Sequence, residues 1–380
     1  MKQFIYSILF VFTIQTTFSQ SEELVLKKSF NVDKNTILNL DVDNVTIQFV
    51  ESTDDKIHLD YSIVFNKDSE EFVYRVFNDI KAEVFKDNNI VTLDIKNSMF
   101  LGELYTMDVD INTYKKYIAE YFKQIKQNKF LYKSKDSLLR EINSSSGPGS
   151  NDYFKKLKRE NPNKNFGERS RRFKQKFIIK APKYLKIKIK ALHSRINFNY
   201  DISKPIELNS FKTYLKFKNL ESKQNKFSLH FGIFQSKKVV GGTYFFKDVN
   251  KVSIGSISDV KLDTETSKIQ IGEICKNVRF NDFNSKLNFY NFSKNFTSFN
   301  FVGDYSELSF YDVKKNNYSM DVFGFNTALF LNKVKTTFGN SKEKKLTKIL
   351  EKKAKNNNTS GKVKIELKNG ILNIIPEKKE

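Results

Sequence analysis

KVSIGSISDVKLDTETSKIQIGEICKNVRFNDFNSKLNF, residues 251–289, decides the fold. Its apolar residues fall two apart in short runs, the period of a half-buried strand, and the unit SKIQI at 267 returns as SKLNF at 285. Outward from this stretch the same polar-x-apolar-x-apolar unit recurs as SRINF at 194, TYLKF at 213, SELSF at 306 and TALFL at 327, at successive intervals of 19, 54, 18, 21 and 21 residues. The long interval has room for three of about 18, with KFSLHF at 226 and KVSIGSI at 251 as weaker copies. Further runs, VKLDT at 260, VRFNDF at 278, SFNFV at 298 and YSMDV at 318, lie roughly midway between the strong copies. Two short strands per interval predict a mainly β chain with a single-stranded-type β-solenoid, or β-helix, over 177–340. Each coil would bury its Ile, Leu, Val and Phe against the next and turn Asn, Lys, Asp and Ser outward. A β-sandwich is the structural rival, because evenly spaced short strands mark it as well; the near-constant register of the unit favours the solenoid.

Upstream, ILNLDVDNVTIQFV at 37–50 and KIHLDYSIVF at 56–65 alternate with period two. Phe72, Val73, Val76, Phe77 and Ile80 form an apolar stripe behind the capping residues Asp68 and Ser69, which predicts one helix over about 69–81. Asp87, Asn88 and Asn89 separate two strand-like runs and predict a hairpin turn. These elements define an N-terminal β-rich unit over 20–110. The alternation stops at 111–176, read as a basic helical or disordered insertion: Tyr117, Ile118, Tyr121, Phe122 and Ile125 share a helical face, and NSSSGPGSN at 143–151 has linker composition. Residues 341–380 predict a basic helix at 342–355, then a hairpin about Asn369 and Gly370 that caps the open end of the solenoid.

Residues 1–19 carry one early Lys, an apolar run from Phe4 to Ile14 and small polar residues before Gln20, the pattern of a cleaved secretory signal peptide. The run is about half what a membrane span needs, and no later stretch is long and apolar enough, so the expectation is an exported, periplasmic, cell-surface or secreted chain without a transmembrane segment. A single cysteine, Cys275, excludes an internal disulfide and reads as a small core side chain.

The chain has 66 Lys and Arg against 43 Asp and Glu, a formal charge of +23. That excess favours anionic partners and disfavours self-association, so a monomer is expected. Between 114 and 176 there are 18 basic residues against 6 acidic, and five of the chain's eight arginines, Arg140, Arg159, Arg169, Arg171 and Arg172, lie there. With Lys155, Lys156, Lys158, Lys174 and Lys176 they form the candidate anion-binding set, since guanidinium groups grip phosphate or carboxylate bidentately. Anionic polysaccharide, lipopolysaccharide and extracellular DNA are the partners this chemistry fits. A solvated segment with no ligand is the competing reading.

The opening SFNVDKNTILNLDVDNVTIQFV, the re-entry KFIIKAPKYLKIKIKALHSRINF and the serial SKIQI-type units are similar to the bacterial putative-adhesin domain family of exported proteins. The resemblance covers about 21–100 and 177–375, leaves 114–176 outside it, and implies a β-solenoid and an adhesin-like role with no catalytic signature.

Motifs for chemistry are absent from the sequence: neither HExxH nor GxSxG occurs, and SGPGS lacks the Lys and Ser or Thr of a phosphate loop. His58, His193 and His230 each stand alone in strand-like runs. No cofactor and no enzymatic activity are expected. The alternative is a polysaccharide lyase or hydrolase that gathers Asp259, Asp263, Glu265, Asp282, Asp304 and Asp312 on one face, and a periplasmic sensor or assembly partner is a further one. Asp41 with Asp43, and Asp108 with Asp110, alternate onto one strand face and are weak calcium candidates.

Overall fold

The computed structural model describes residues 20–66, 74, 77–97, 134–143, 173–311, 318–331, 336–340, 345–349 and 361–375. Alternating β-branched or aromatic residues with Lys, Asn and Ser make nearly all of these strands. They begin with β1 (Gln20–Asn31), β2 (Ile37–Asp43), β3 (Thr46–Glu51), β4 (Lys56–Asn66), β5 (Ile80–Asp87) and β6 (Ile90–Asn97). The helix α1 (Lys135–Asn143) precedes β7 (Phe173–Ala181), β8 (Lys186–Leu192), β9 (Arg195–Phe198), β10 (Ile206–Leu220) and β11 (Lys226–Val240). Short strands follow: β12 (Thr243–Lys247), β13 (Lys251–Ser258), β14 (Lys261–Glu265), β15 (Lys268–Lys276), β16 (Val278–Phe283), β17 (Lys286–Phe289), β18 (Ser298–Asp304) and β19 (Glu307–Tyr311). The last are β20 (Tyr318–Phe325), β21 (Ala328–Phe330), β22 (Thr336–Asn340), β23 (Lys345–Ile349), β24 (Gly361–Lys368) and β25 (Ile371–Ile375).

All strands belong to one sheet, arranged as two ladders. In the first, β6, β2, β8, β10, β11, β12, β14, β16, β18, β24 and β20 pair in parallel in that order. In the second the parallel order is β7, β3, β9, β10, β11, β13, β15, β17, β19, β25 and β21. The long strands β10 and β11 run through both ladders and join them; elsewhere the chain leaves one ladder at a corner and enters the other. Antiparallel strands finish the ends: β5 on β6, β1 on β4 and β4 on β7, and β23 between β20 and β22.

One column of corners repeats. Asn44, His193, Lys212, Phe231, Asp248, Thr266, Asn284, Tyr305, Asn326 and Asn369 all have positive φ, between 45° and 58°, the left-handed region that turns the chain sharply. The amides of Asn44, His193, Asp248, Thr266, Asn284, Tyr305 and Asn369 stack on a neighbour's carbonyl, as in Asp248 N–H to Glu265 O, 2.9 Å, and Thr266 N–H to Phe283 O, 2.8 Å. After six of the ten corners comes the Ser or Thr that opens the sequence unit. Ser194, Thr213, Ser267, Ser285 and Ser306 are buried rather than outward, a correction to the simple alternation. Their hydroxyls close the corner: Ser267 Oγ donates to Glu265 O at 2.8 Å and accepts from Val249 N–H at 3.0 Å, while Ser285 Oγ accepts from Ser267 N–H at 2.9 Å. Partners in this column stand 18 residues apart. The column also resolves the long interval in the sequence. Thr213 lies beside Gly232, and Val249 beside Ser267, so Gly232 and Val249 hold the two missing unit positions, whereas KFSLHF at 226 belongs to the first ladder.

Between the ladders lies one continuous apolar cluster running from Leu26 to Ile374. Phenylalanine, 37 of the 380 residues, fills it by stacking along the repeat axis: Phe49 on Phe198 at 4.2 Å between ring centroids, Phe198 on Phe217 at 4.9 Å, and Phe289 on Phe310 at 4.9 Å.

Several expectations change. The hairpin at Asp87–Asn89 forms, with Asn88 at φ 50°. The helix over 69–81 lies largely outside the described residues, of which Tyr74, Phe77 and Asn78 are helical. Where a basic helix was expected at 342–355, Lys345–Ile349 is strand β23, held by β20 and β22; a terminal ladder edge offers main-chain partners that outweigh helix propensity. Nor do β24 and β25 cap the end as a hairpin. Asn369 is another left-handed corner, so β24 slots between β18 and β20, and β25 between β19 and β21.

Ser267→Ala should cost about 2 kcal/mol, because it strands the buried Val249 N–H as well as losing the hydroxyl's own bond. Thr266→Asn should instead stabilise by about 1 kcal/mol, since a β-branched side chain is strained in the left-handed region and Asn tolerates it. Urea unfolding of the two variants checks both signs.

Candidate functional site

Of the anion-binding candidates, Arg140 sits exposed in the last turn of α1, and Lys174 and Lys176 lie in β7 opposite Val64 and Ser62 of β4. Lys176 Nζ is 3.1 Å from Glu22. Hydrogen bonds from Ser62 Oγ and Lys176 hold the Glu22 carboxyl below the usual carboxylate range. Lys155, Lys156, Lys158, Arg159, Arg169, Arg171 and Arg172 lie outside the described residues, as do Asp108, Asp110 and Asp312.

The carboxylates considered for catalysis are spread and engaged. Asp263 is bound by Lys261 at 3.0 Å and by Asn281 Nδ2 at 2.6 Å. Glu265 accepts from Lys247 Nζ at 2.8 Å, which raises the lysine's pKa. Asp259 and Asp304 accept from the amides of Asn277 and Asn369, at 2.7 and 3.1 Å. Asp282 turns inward at a corner, where Thr264 Oγ1, Ser306 Oγ at 2.5 Å and Ser285 N–H at 3.2 Å satisfy it. Asp41 and Asp43 face Lys190 at 3.0 Å and His193 Nδ1 at 3.2 Å, cationic or ring-nitrogen partners in place of a calcium cage. His58 bonds Asp54 and Ser29, and His230 meets the edge of Phe245. Among the described residues no three His, Cys, Asp or Glu gather as a metal site, and no helix is long and apolar enough to cross a membrane.

The first ladder's outer face carries an open depression of about 560 Å³ bordered by Lys188, Lys190, Glu207, Asn209 and Lys226. Its charges partly cancel across strands, with Lys188 and Glu207 3.6 Å apart.

The second ladder's outer face holds the more structured feature, the seat of α1. Ser134 caps this helix, accepting from Ser137 N–H at 3.3 Å, and Asp136 and Arg140 complement the helix dipole at its two ends. The seat is cut by two glycines. A Cβ on Gly255 would strike Lys237 O and lie 2.9 Å from Leu139, and one on Gly272 would lie 2.5 Å from Gly255 O. Leu138 and Ile142 pack on Tyr290, which stacks on Tyr311 at 4.9 Å. Lys135 Nζ reaches Glu273 at 2.9 Å, and Asn291 Nδ2 bonds the same carboxylate. Burial, with Glu273 adding to it, pushes the neighbouring Cys275 thiol up; burial and Glu307 do the same for Tyr311, and burial beside Lys286 lowers Lys268. A helix of nine residues has little stability of its own, so this seat is what holds it. Sequence reasoning missed the seat; the signal was the pair of glycines inside otherwise regular strands, which mark close backbone approach.

Beside the helix runs an in-register polar row, Gln235, Ser253, Gln270, Asn288 and Ser309. The flanking apolar residues point to the core, so this row faces outward, yet it is buried.

No protein-family model matches the chain, and no curated protein matches it. Among solved structures, a "putative cell adhesion protein" from Clostridium sporogenes is similar over 94% of this chain and 100% of its own, at 12% identity and a TM-score of 0.19. So slight a likeness carries no argument here.

Leu138→Ala should loosen α1 by removing its packing on Tyr290. Because Cys275 lies beside Lys135, its alkylation rate at pH 8 reports this; the rate should rise several-fold in the variant, while strand content by circular dichroism stays the same.

Proposed function

We propose that the chain is an exported, non-enzymatic cell-envelope protein of adhesin type, a β-solenoid whose basic segment captures anionic polymers. The solenoid reading is supported by the parallel pairing of strands one interval apart, which the antiparallel hairpins of a sandwich do not supply. The signal-like residues 1–19 support export. Carboxylates held by lysines, amides and hydroxyls speak for a binding protein over a lyase or hydrolase, which needs a deliberately perturbed acid and base facing a cleft.

One observation carries the binding reading: the seat of α1 fastens the basic segment to the sheet and leaves Arg140 exposed. Within the described sheet several lysines are matched by acids across strands, as at Lys190 and Asp41, Lys247 and Glu265, and Lys286 and Glu307. The charge excess at 114–176 has no such balance in the sequence, 18 bases to 6 acids. Capture is then electrostatic, with counterion release driving it and salt opposing it. Acidic polysaccharide, lipopolysaccharide and extracellular DNA all fit.

Replacing Arg140, Arg159, Arg169, Arg171 and Arg172 together by Gln should reduce the log–log salt slope for single-stranded DNA by roughly 3, at about 0.7 per phosphate contact. Retention on immobilised acidic polysaccharide and lipopolysaccharide should fall in parallel. A slope unchanged by the five replacements rejects this segment as the binding site. Sequencing the exported chain should give Gln20 as its first residue.

A further inference from the structure

We infer that the polar row beside α1 is a second binding site, for a neutral glycan chain, and that α1 is its displaceable cover. The row is independent of the basic segment's charge. Three of its members have unmet hydrogen-bonding capacity. Asn288 is 1% exposed, and neither its side-chain oxygen nor its nitrogen has a partner; Gln270 Oε1 and Ser253 Oγ also have none. Their direction is fixed by the strands. Val252, Ile254, Ile269, Ile271, Leu287 and Phe289 belong to the core cluster, so the residues between them point to the opposite, outer face.

A buried polar atom without a partner costs stability, and native chains leave few of them. Here the unmet atoms stand together, in register, on three successive strands of one ladder. On the same face α1 lies on β11, β13 and β15 and sets Leu139 against Gly255 and Leu138 with Ile142 against Tyr290. Row members that do have partners draw them from the sheet itself, Gln270 Nε2 donating to Tyr290 Oη at 3.3 Å and Ser309 Oγ accepting from Asn373 Nδ2 at 3.2 Å; the unmet atoms of Ser253, Gln270 and Asn288 are left for a ligand rich in hydroxyls.

The geometry points to a carbohydrate among ligands of that kind. Each sugar hydroxyl both donates and accepts, which suits the two amides of Gln270 and Asn288 flanked by the hydroxyls of Ser253 and Ser309. The ladder repeats every 4.8 Å or so, close to the length of one pyranose unit, so successive sugars can meet successive strands. The stacked rings of Tyr290 and Tyr311, 4.9 Å apart, wall the row and supply an apolar surface for a sugar face. An extended peptide is disfavoured because it binds at an unpaired strand edge, and both neighbours of β15 and β17 are already paired.

The test uses the full chain and neutral hexasaccharides: maltohexaose, cellohexaose and chitohexaose. Leu138→Ala with Ile142→Ala should open the cover and tighten binding of at least one of them by tenfold or more, measured by calorimetry. Adding Asn288→Leu to that opened chain should abolish the binding. In the otherwise unaltered chain, Asn288→Leu should raise Tm, because it removes two unmet polar atoms; Gln270→Leu is the second variant should the first fail to fold. On binding, amide exchange should accelerate within Lys135–Asn143. Half-molar salt should leave the affinity unchanged, which separates this site from anion capture by the basic segment. Absence of binding to all three sugars by the opened chain overturns the inference, as does binding that persists after both Asn288→Leu and Gln270→Leu.

Discussion

The corner column is the constraint on which the rest of the molecule depends. Every passage from the first ladder to the second requires a left-handed residue, and every such residue leaves an amide and a carbonyl to be satisfied inside the protein. At six of the corners the following Ser or Thr solves this locally, as Ser267 does by bonding back across the turn and to the neighbouring strands. With corners fixed, the two ladders keep register, and register in turn decides that Phe meets Phe and Ile meets Ile in the core. A shift of one residue would exchange the two faces of every strand.

This explains why the repeat was legible and where it was not. SKIQI and SKLNF stand out because a hydroxyl is demanded by the corner, and an apolar residue with another two further on by the core beneath the strand. Gly232 and Val249 meet the same position by other means, one by having no side chain and the other by donating its N–H to Ser267 Oγ, so the pattern fades there. The left-handed positions themselves carried little signal: Lys212, Phe231, Thr266 and Tyr305 are unexpected in that conformation, and only the stacked neighbours explain them. Residues Lys345–Ile349 were misread for the converse reason. Their local composition favours helix, and the partner that overrides it lies on β20, in a distant part of the sequence.

The functional surface divides by what the strands leave over. Inward positions are spent on the core, and several outward lysines, such as Lys190, Lys247 and Lys286, face acids on neighbouring strands. The basic character concentrates in a segment that joins the sheet at the glycine-cut seat of α1. The basic segment was visible in composition. Neither the seat nor the polar row beside it could be seen there, because both exist only when residues from separate strands are brought into register.

The placement of β24 and β25 bears on how the chain is assembled. They come last in sequence but sit inside the stack, separating β18 from β20 and β19 from β21. During synthesis, residues 318–331 are therefore made before the strands that join them to the rest. Until β24 and β25 are made, β20 and β21 lack their parallel partners, and the stack ends at β18 and β19 with open edges. These two strands act as a keystone: this end of the sheet locks only once residues 361–375 have left the ribosome.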